Sequence, residues 1–285
     1  MKIIIIGAGP VGSYTGYLLA KSGHQVEIYE EHKEIGLPIQ CTGLLTTDFE
    51  QCNLPLTDFL VNTFEEIEVN SPNEKLRIKQ KEYLDDRHKF DNYLAELAIK
   101  AGAKIYTQHS FVSRNKERIV IKDLKSKIEK EVIADIIIAT DGPLSKTAHA
   151  FGFYELSRRN YNGIQAIVEG EFNQKRYQTF FSNEVCPELF GWIVPESDKI
   201  ARVGIAGLKN SKYFFDKFMQ EKKFKVLKIE AGIIPLYEPK QKLKHNNCYL
   251  LGDASGFVKA TTLGGIIPGM QMAQVLVDCI NNKKD

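Results

Sequence analysis

Four short, largely apolar runs punctuate the chain: Ile3 to Ile6, Val26 to Tyr29, Ala134 to Thr140 and Cys248 to Leu251. Runs of this length and composition suit parallel strands buried on both faces. Between them the pattern alternates. Phe64 to Gln80 reads as a hairpin turning at Ser71-Pro72-Asn73, and Phe111 to Ile133 as a small antiparallel meander with one solvated face. Ile164 to Glu171, Tyr177 to Ser182, Gly191 to Val194, Ala201 to Ala206 and Lys225 to Pro235 read as strands of a mainly antiparallel sheet, with a helix over Tyr213 to Lys222 lying across it. Helical spacing is clear in two further places. Phe90, Leu94, Leu97, Ala98 and Ala101 repeat at helical intervals up to a stop at Gly102, with Arg87 just ahead of that helix and a strand at Lys104 to Thr107 behind it. Leu276 and Ile280, with Met272 or Ala273, give a last helix one apolar face behind Gly264 and Gly265. The Gly-, Pro- and Thr-rich stretch EHKEIGLPIQCTGLLTTDF after Glu30 is expected to be loop.

The first apolar run is followed at once by Gly7, Gly9 and Gly12 in G-x-G-x-x-G spacing. Missing side chains there let the backbone turn tightly, approach a pyrophosphate and pack the next helix on the strand. The start of that helix offers free N–H groups and a positive dipole end. Glu30 closes the second run, where a carboxylate accepts hydrogen bonds from an adenosine ribose. Strand, turn, helix and acid together point to a dinucleotide site rather than to a purely structural turn. The expected fold is α/β: a Rossmann-like nucleotide-binding domain with a β-meander, over residues 1–153 and 240–285, and an inserted antiparallel-sheet substrate domain over 154–239.

Composition changes this picture little. At 285 residues, 43% hydrophobic and 26% charged, the chain has the make-up of a soluble globular protein. A net charge of +2 gives no electrostatic case for nucleic acid. The Lys-rich stretches at Lys116 to Lys130, Lys222 to Lys228 and Lys240 to Lys244 are most simply solvated faces, the alternative being weak attraction to an anionic membrane surface. Cys41, Cys52, Cys186, Cys248 and Cys279 are scattered and lack metal-ligand or disulfide-framework spacing, so no metal is expected. With no leader ahead of the first strand and no apolar run long enough to span a bilayer, the expectation is a reduced, cytoplasmic protein, peripheral at the membrane if the lysines are used.

Four segments carry a family resemblance: GAGPVG with Glu30, RHKFDNYLAELAIKAGAKI, IIIATDGPLSKTAHAFG and YLLGDASGFVKATTLGGI. Together they resemble FAD-dependent oxidoreductases of the glutathione-reductase-like fold, and within them the geranylgeranyl reductase family. GLPIQCTG is similar to that family's Gly-x-Pro-x-x-Cys segment, and CPELFGWIVPE to its Pro-x-x-Tyr-x-Trp-x-Phe-Pro-Lys segment. The resemblance implies FAD held by Gly7, Gly9, Pro10, Gly12, Glu30, Glu31, Cys41, Arg87, Asp141, Gly142, Asp253, Gly264, Gly265 and Ile266. It also implies a substrate segment around Phe190, Trp192 and Pro195. Three departures stand out: Phe190 replaces Tyr, Val194 replaces Phe, and Glu196 replaces Lys with reversal of charge. Thr261-Thr262-Leu263 stands where related flavoproteins carry a Pro, and relatives continue into a further helical segment beyond the last helix here.

What the resemblance implies chemically is hydrogenation of prenyl double bonds in isoprenoid lipids. Reduced flavin gives hydride to one alkene carbon while an acid protonates the other. Cys41 is the candidate acid, since an ordinary thiol, with a pKa of about 8.5, is protonated at neutral pH; the alternative is that it packs as a small apolar residue. Only one dinucleotide motif is present, so electrons are expected from an external donor, either NAD(P)H or a small redox protein. Phe180, Phe181, Phe190, Trp192 and Ile193 are candidates to line a prenyl tunnel, although alternation along a strand lets only some face it. The rivals are a group A flavin monooxygenase acting on a small aromatic and a shortened FAD-binding redox module without lipid turnover.

Overall fold

The computed structural model describes residues 1–115, 118–154 and 158–282. The Lys-rich stretch expected from Lys116 therefore opens outside the described residues. In chain order the elements begin with β1 (Lys2–Ile6), α1 (Pro10–Lys21), β2 (Gln25–Tyr29), β3 (Leu44–Thr46), β4 (Leu60–Asn70), β5 (Lys75–Asp85), α2 (Arg87–Lys100) and β6 (Lys104–Tyr106). They continue with β7 (His109–Asn115), β8 (Arg118–Asp123), β9 (Glu129–Ile133), β10 (Ile136–Ala139), α3 (Lys146–Ala150), β11 (Asn160–Glu169) and β12 (Arg176–Ser182). The remainder are β13 (Cys186–Pro195), β14 (Ile200–Gly207), α4 (Ser211–Lys222), β15 (Lys225–Pro235), β16 (Lys244–His245), β17 (Cys248–Leu250) and α5 (Ile266–Asn281).

The chain divides into two compact units. The first comprises Met1–Leu37, His88–Arg159 and Pro235–Asp285. Its main sheet runs β16-β17-β10-β1-β2-β6, and every pairing except β16 with β17 is parallel. Ile3, Ile5 and Ile28 are fully buried, and Ile5 and Ile28 meet Gly16 of α1, so one face of the sheet is closed by that helix. Ile4, Ile6, Ile137 and Leu250 pack on the opposite side against Phe111, Ile119, Ile121 and Val132 of the β7-β8-β9 meander. Burial on both faces explains why these strands read as apolar runs and not as alternation.

The second unit comprises Pro38–Arg87 and Asn160–Ile234, with one sheet in the order β15-β11-β14-β13-β12-β4-β5-β3. This corrects the expected division, which left residues 38–87 with the nucleotide-binding domain. The reason is a non-local ladder: Arg176 to Phe180 of β12 pair in parallel with Glu66 to Asn70 of β4, which carries β5 and β3 into the same sheet. The stretch after Glu30 is also more structured than expected, containing β3 and a 3-10 helix over Thr47–Cys52. α2 opens at Arg87 itself, and β13 starts at Cys186, ahead of the expected Gly191.

Alternation along β13 sorts its side chains between two layers. Ile193 joins Val203, Ile205, Phe215 and Phe218 in the core beneath α4, whereas Val194 and Trp192 pack with Phe64, Leu84 and Tyr177 on the other face.

Candidate functional site

The parallel strands of the first unit end along one edge, and most of the residues singled out from the sequence gather there. β1 runs into Gly7, β2 into Glu30, β10 into Asp141 and Gly142, and β17 into Gly252 and Asp253. Glu30 is only 8% exposed, and its carboxylate accepts the Ala8 and His32 backbone N–H groups at 2.8 Å each and pairs with His32 Nδ1 at 2.7 Å. The acid thus ties the end of β2 to the glycine turn. Glu31 beside it is exposed, accepting a hydrogen bond from Ser110 Oγ at 3.1 Å and lying 3.5 Å from Lys146 Nζ.

Two glycines of the turn have different reasons to be there. A Cβ on Gly12 would fall 2.1 Å from Gly7 O and 2.5 Å from Thr140 Oγ1, so helix-on-strand packing forbids a side chain. Gly9 has an ordinary φ of −63°, and a Cβ there would meet nothing within 4 Å. Neither packing nor conformation requires glycine at position 9. The clearance it keeps, over the N-terminus of α1, is what a close-lying pyrophosphate needs.

Pro10 opens α1, where its missing N–H leaves no bond unmade, and the next two N–H groups lack intrahelical acceptors. α5 runs beside α1 in the same direction: Gly269 lies against Val11, Gln274 Nε2 donates to Tyr14 Oη at 2.9 Å, and Asn281 Nδ2 donates to Ser22 Oγ at 3.0 Å. Both helices begin at glycines, Gly9 and Gly265, without a side-chain cap, so two positive dipole ends face the same side of the unit. Ile266 is the first residue of α5. A Cβ on Gly265 would lie 2.6 Å from Asp253 Oδ1, which sets the Asp253 carboxylate at the mouth of that helix. The loop between them closes through hydrogen bonds from the Lys259 N–H to Gly264 O at 3.2 Å and from the Leu263 N–H to Lys259 O at 2.9 Å, with Leu263 in the left-handed region at φ 61°.

Asp141 has a local task. Ser145 Oγ donates to its Oδ1, and the Thr147 N–H and Oγ1 donate to Oδ2 at 3.1 and 2.9 Å. Burial pushes its carboxyl above the usual carboxylate range, against the opposite pull of those hydrogen bonds. Its side chain braces the turn that presents Gly142.

The second unit carries Cys41, Arg87 and the aromatic segment. Cys41 is half-buried and its sulfur accepts the Gly43 N–H at 3.4 Å. Gly43 has φ +80°, and a Cβ on it would lie 2.1 Å from Asp85 Oδ1 and 3.0 Å from Arg202 Nη1, so only glycine passes through this gap. Thr42 is fixed at both ends: Arg202 Nη1 donates to its carbonyl, and its hydroxyl donates to Gln165 Oε1 at 2.9 Å. Gln165 in turn donates to Glu230 Oε2 at 2.8 Å, and both residues are buried. Arg87 is half-buried at the start of α2.

The sheet face on which this loop sits continues into a row that is mainly apolar from Leu76 to Trp192, with Thr179 as its polar member there. Leu76 pairs with Val69, Val69 with Thr179, Thr179 with Trp192, Trp192 with Gly204 and Gly204 with Gln165, one residue from each of six strands. Five interstrand steps of about 4.8 Å make this row about 24 Å long. Phe190 joins it, with its ring centroid 6.1 Å from that of Trp192 and 5.7 Å from that of Phe181. Phe180 and Ile193 point the other way, into the α4 core, and alternation puts Pro195 on that opposite side as well. Of the expected substrate residues the structure therefore brings Phe190 and Trp192 together and separates Pro195 from them.

Arg202, Gln165 and Glu230, the groups that hold the Cys41 segment, were not among the expected site residues. Their one sequence signal is polar side chains on strands whose neighbours are apolar, such as Arg202 in IARVGIAG.

Residues 5–56 match a family model described as an NAD(P)-binding Rossmann-like domain. Over 93% of the chain and 72% of the relative's length, the sequence is 26% identical to digeranylgeranylglycerophospholipid reductase of Methanococcus vannielii. It is also 26% identical to the enzyme of that name from Thermoplasma acidophilum, over 98% of this chain and 78% of the relative. The chain resembles the digeranylgeranylglycerophospholipid reductases along nearly its whole length. Among solved structures, a geranylgeranyl bacteriochlorophyll reductase-like protein from Thermoplasma acidophilum superposes with a TM-score of 0.89 at 22% identity, covering 99% of this chain and 79% of that one. The FAD-dependent chondrochloren halogenase of a myxobacterium superposes with a TM-score of 0.78 at 15% identity, covering 99% and 74%. These structures share the fold, and the reductase likeness is the closer of the two by both measures.

Proposed function

We propose that this protein is an FAD-dependent reductase that saturates double bonds in the prenyl chains of isoprenoid lipids, with electrons from an external donor. The observation that carries the flavin reading is the clearance at Gly9 over the N-terminus of α1, with the N-terminus of α5 facing the same side of the unit. Gly7, Gly9, Pro10 and Gly12 would hold the pyrophosphate and Glu30 the ribose, with Asp253 and the start of α5 serving the rest of the cofactor. When bound, FAD supplies the hydride. The lipid reading is supported by the named relatives and by the mainly apolar strip from Leu76 to Trp192, which leads across one sheet face toward the Cys41 loop.

An isolated alkene is a weak electrophile, so hydride addition needs a proton delivered to the other carbon as charge develops there. Cys41 is the group we assign to this step. The Gly43 N–H donates to its sulfur, which holds the side chain against the loop. The strip would offer the prenyl chain of the substrate a sheet face to lie along. No helix among the described residues is long and apolar enough to cross a membrane.

The test is anaerobic. Protein loaded with FAD and reduced chemically should be reoxidised on adding a geranylgeranyl glycerolipid, with no change on adding its fully saturated analogue. Reoxidation by neither lipid would contradict the proposal, and, in a separate aerobic assay, NAD(P)H and oxygen consumption stimulated by a small aromatic would replace it with the monooxygenase reading.

A further inference from the structure

The Cys41 segment rests on a pair of charged residues whose place in the fold gives them a role beyond holding the sheet together. Arg202 lies in β14 and is 7% exposed. Its Nε donates to Glu196 Oε1 at 2.7 Å, while Nη1 donates to the carbonyl of Thr42, the residue next to Cys41. One step further, the Gly43 N–H donates to Cys41 Sγ at 3.4 Å and the Asp85 N–H donates to Gly43 O at 2.8 Å. A guanidinium is a planar fork, so a carboxylate fixed on one edge decides where the other edge points. Glu196 is that carboxylate. It lies six residues along the chain from Arg202, across the short connection between β13 and β14, and it sits where the resembled family carries Lys.

We propose that Glu196 and Arg202 are positioning residues for the Cys41 thiol, Glu196 acting by orienting Arg202 and Arg202 by clamping the Thr42 carbonyl. The proposal rests on the reading of Cys41 as the proton donor. In this chain a cation at residue 196 would face the guanidinium, remove its orienting partner and loosen the loop. Loss of the pair would leave a buried cation with poorer compensation, and the loop would open more often. The neighbouring groups that bear on the clamp are the Asp85 carboxylate, which lies against Gly43, and the Gln165–Glu230 pair, which holds the Thr42 hydroxyl from the other side.

Alkylation of Cys41 reports the loop directly and needs no flavin. In flavin-free protein, iodoacetamide modification of Cys41 would be followed by mass spectrometry of its peptide from pH 6 to 9, with half-buried Cys279 as the internal reference. In Glu196→Lys and in Arg202→Met, Cys41 should react at least about tenfold faster, with Cys279 unchanged. Glu196→Gln, which keeps an oxygen acceptor for Nε, should restore most of the protection and serves also if the first two variants fold poorly. In FAD-loaded protein, Glu196→Lys should lower kcat for prenyl reduction while the KM for the lipid stays within about twofold. An alkylation rate in Glu196→Lys within about twofold of the parental rate, with a lowered unfolding temperature, would overturn the proposal and leave the pair a purely structural role. If the parental protein reduces no prenyl lipid, the assignment of Cys41 as proton donor falls, while the alkylation rates still decide whether the pair positions the thiol.

Discussion

Alanine substitutions at the second and third glycines of the turn separate what the fold demands from what a ligand demands. At Gly12 a methyl group would come within 2.1 Å of Gly7 O and 2.5 Å of Thr140 Oγ1. Neither atom yields easily, because Thr140 Oγ1 is already bound to Ile6 O at 2.8 Å and Gly7 O at 2.9 Å. Overpacking of this kind costs about 1–3 kcal/mol, and at about 2–4 °C per kcal/mol the flavin-free protein should unfold several degrees lower. At Gly9 the same change meets open space with φ at −63°. There the unfolded chain loses freedom worth about 0.4–1 kcal/mol, which offsets the similar amount by which Ala is the poorer N-cap of α1, so stability should hold to within about 1 kcal/mol. FAD affinity should nevertheless fall by at least about tenfold, because the methyl takes room that the pyrophosphate needs. Thermal unfolding of flavin-free protein and titration of flavin fluorescence give the two numbers for each variant. Normal FAD affinity in Gly9→Ala, or an unfolding temperature as low as that of Gly12→Ala, would refute the reasoning.

Other expectations follow from the second unit. Gly43→Ala combines φ +80° with a contact of 2.1 Å to Asp85 Oδ1, and should cost about 2–4 kcal/mol in urea unfolding; an unchanged midpoint would contradict this. Cys41→Ser with full FAD occupancy should slow prenyl reduction by about 10²-fold or more, because a hydroxyl is a far weaker acid, and a parental rate would end the assignment. At Glu68, burial raises the carboxyl pKa, but hydrogen bonds from Gln178 and Arg77 and the charge of Arg176 outweigh it and hold it below the usual range. A depressed native pKa contributes stability above the unfolded-state value, and that contribution is lost as pH falls through the native one. Glu68→Gln should therefore lower stability by about 1–3 kcal/mol at pH 7, with the gap to the parent narrowing below about pH 4. A gap that does not change with pH would contradict it.

The strands buried on both faces were legible because their signal is local: a run such as Ile3 to Ile6 has no polar position to spare. The α1 turn and the meander were legible for the same reason, since periods of 3.6 and 2 are written into neighbouring residues, whereas β13 was read short and Pro195 was grouped with Phe190 and Trp192 although it lies on the other face. The pairing of β4 with β12 was not legible, because it joins residues more than a hundred positions apart and alternation alone does not choose a partner strand. Residues 38–87 consequently read as part of the wrong domain. The site divides along the same line. Its glycines and Glu30 lie in one contiguous stretch and announce themselves. Arg202, Gln165 and Glu230 come from three strands and converge on Thr42 only once the sheet is built. Glu196 read only as a reversal of charge in the resembled segment, and the structure shows it bound to Arg202.

The most direct test of the central claim is the mass of the lipid after turnover. FAD-loaded protein supplied with a chemical reductant under anaerobic conditions, and given a geranylgeranyl glycerolipid, should return lipid heavier by two hydrogens for each double bond saturated, with the flavin reoxidised in proportion. Lipid recovered at its starting mass, from protein shown to hold reduced FAD, would contradict the account.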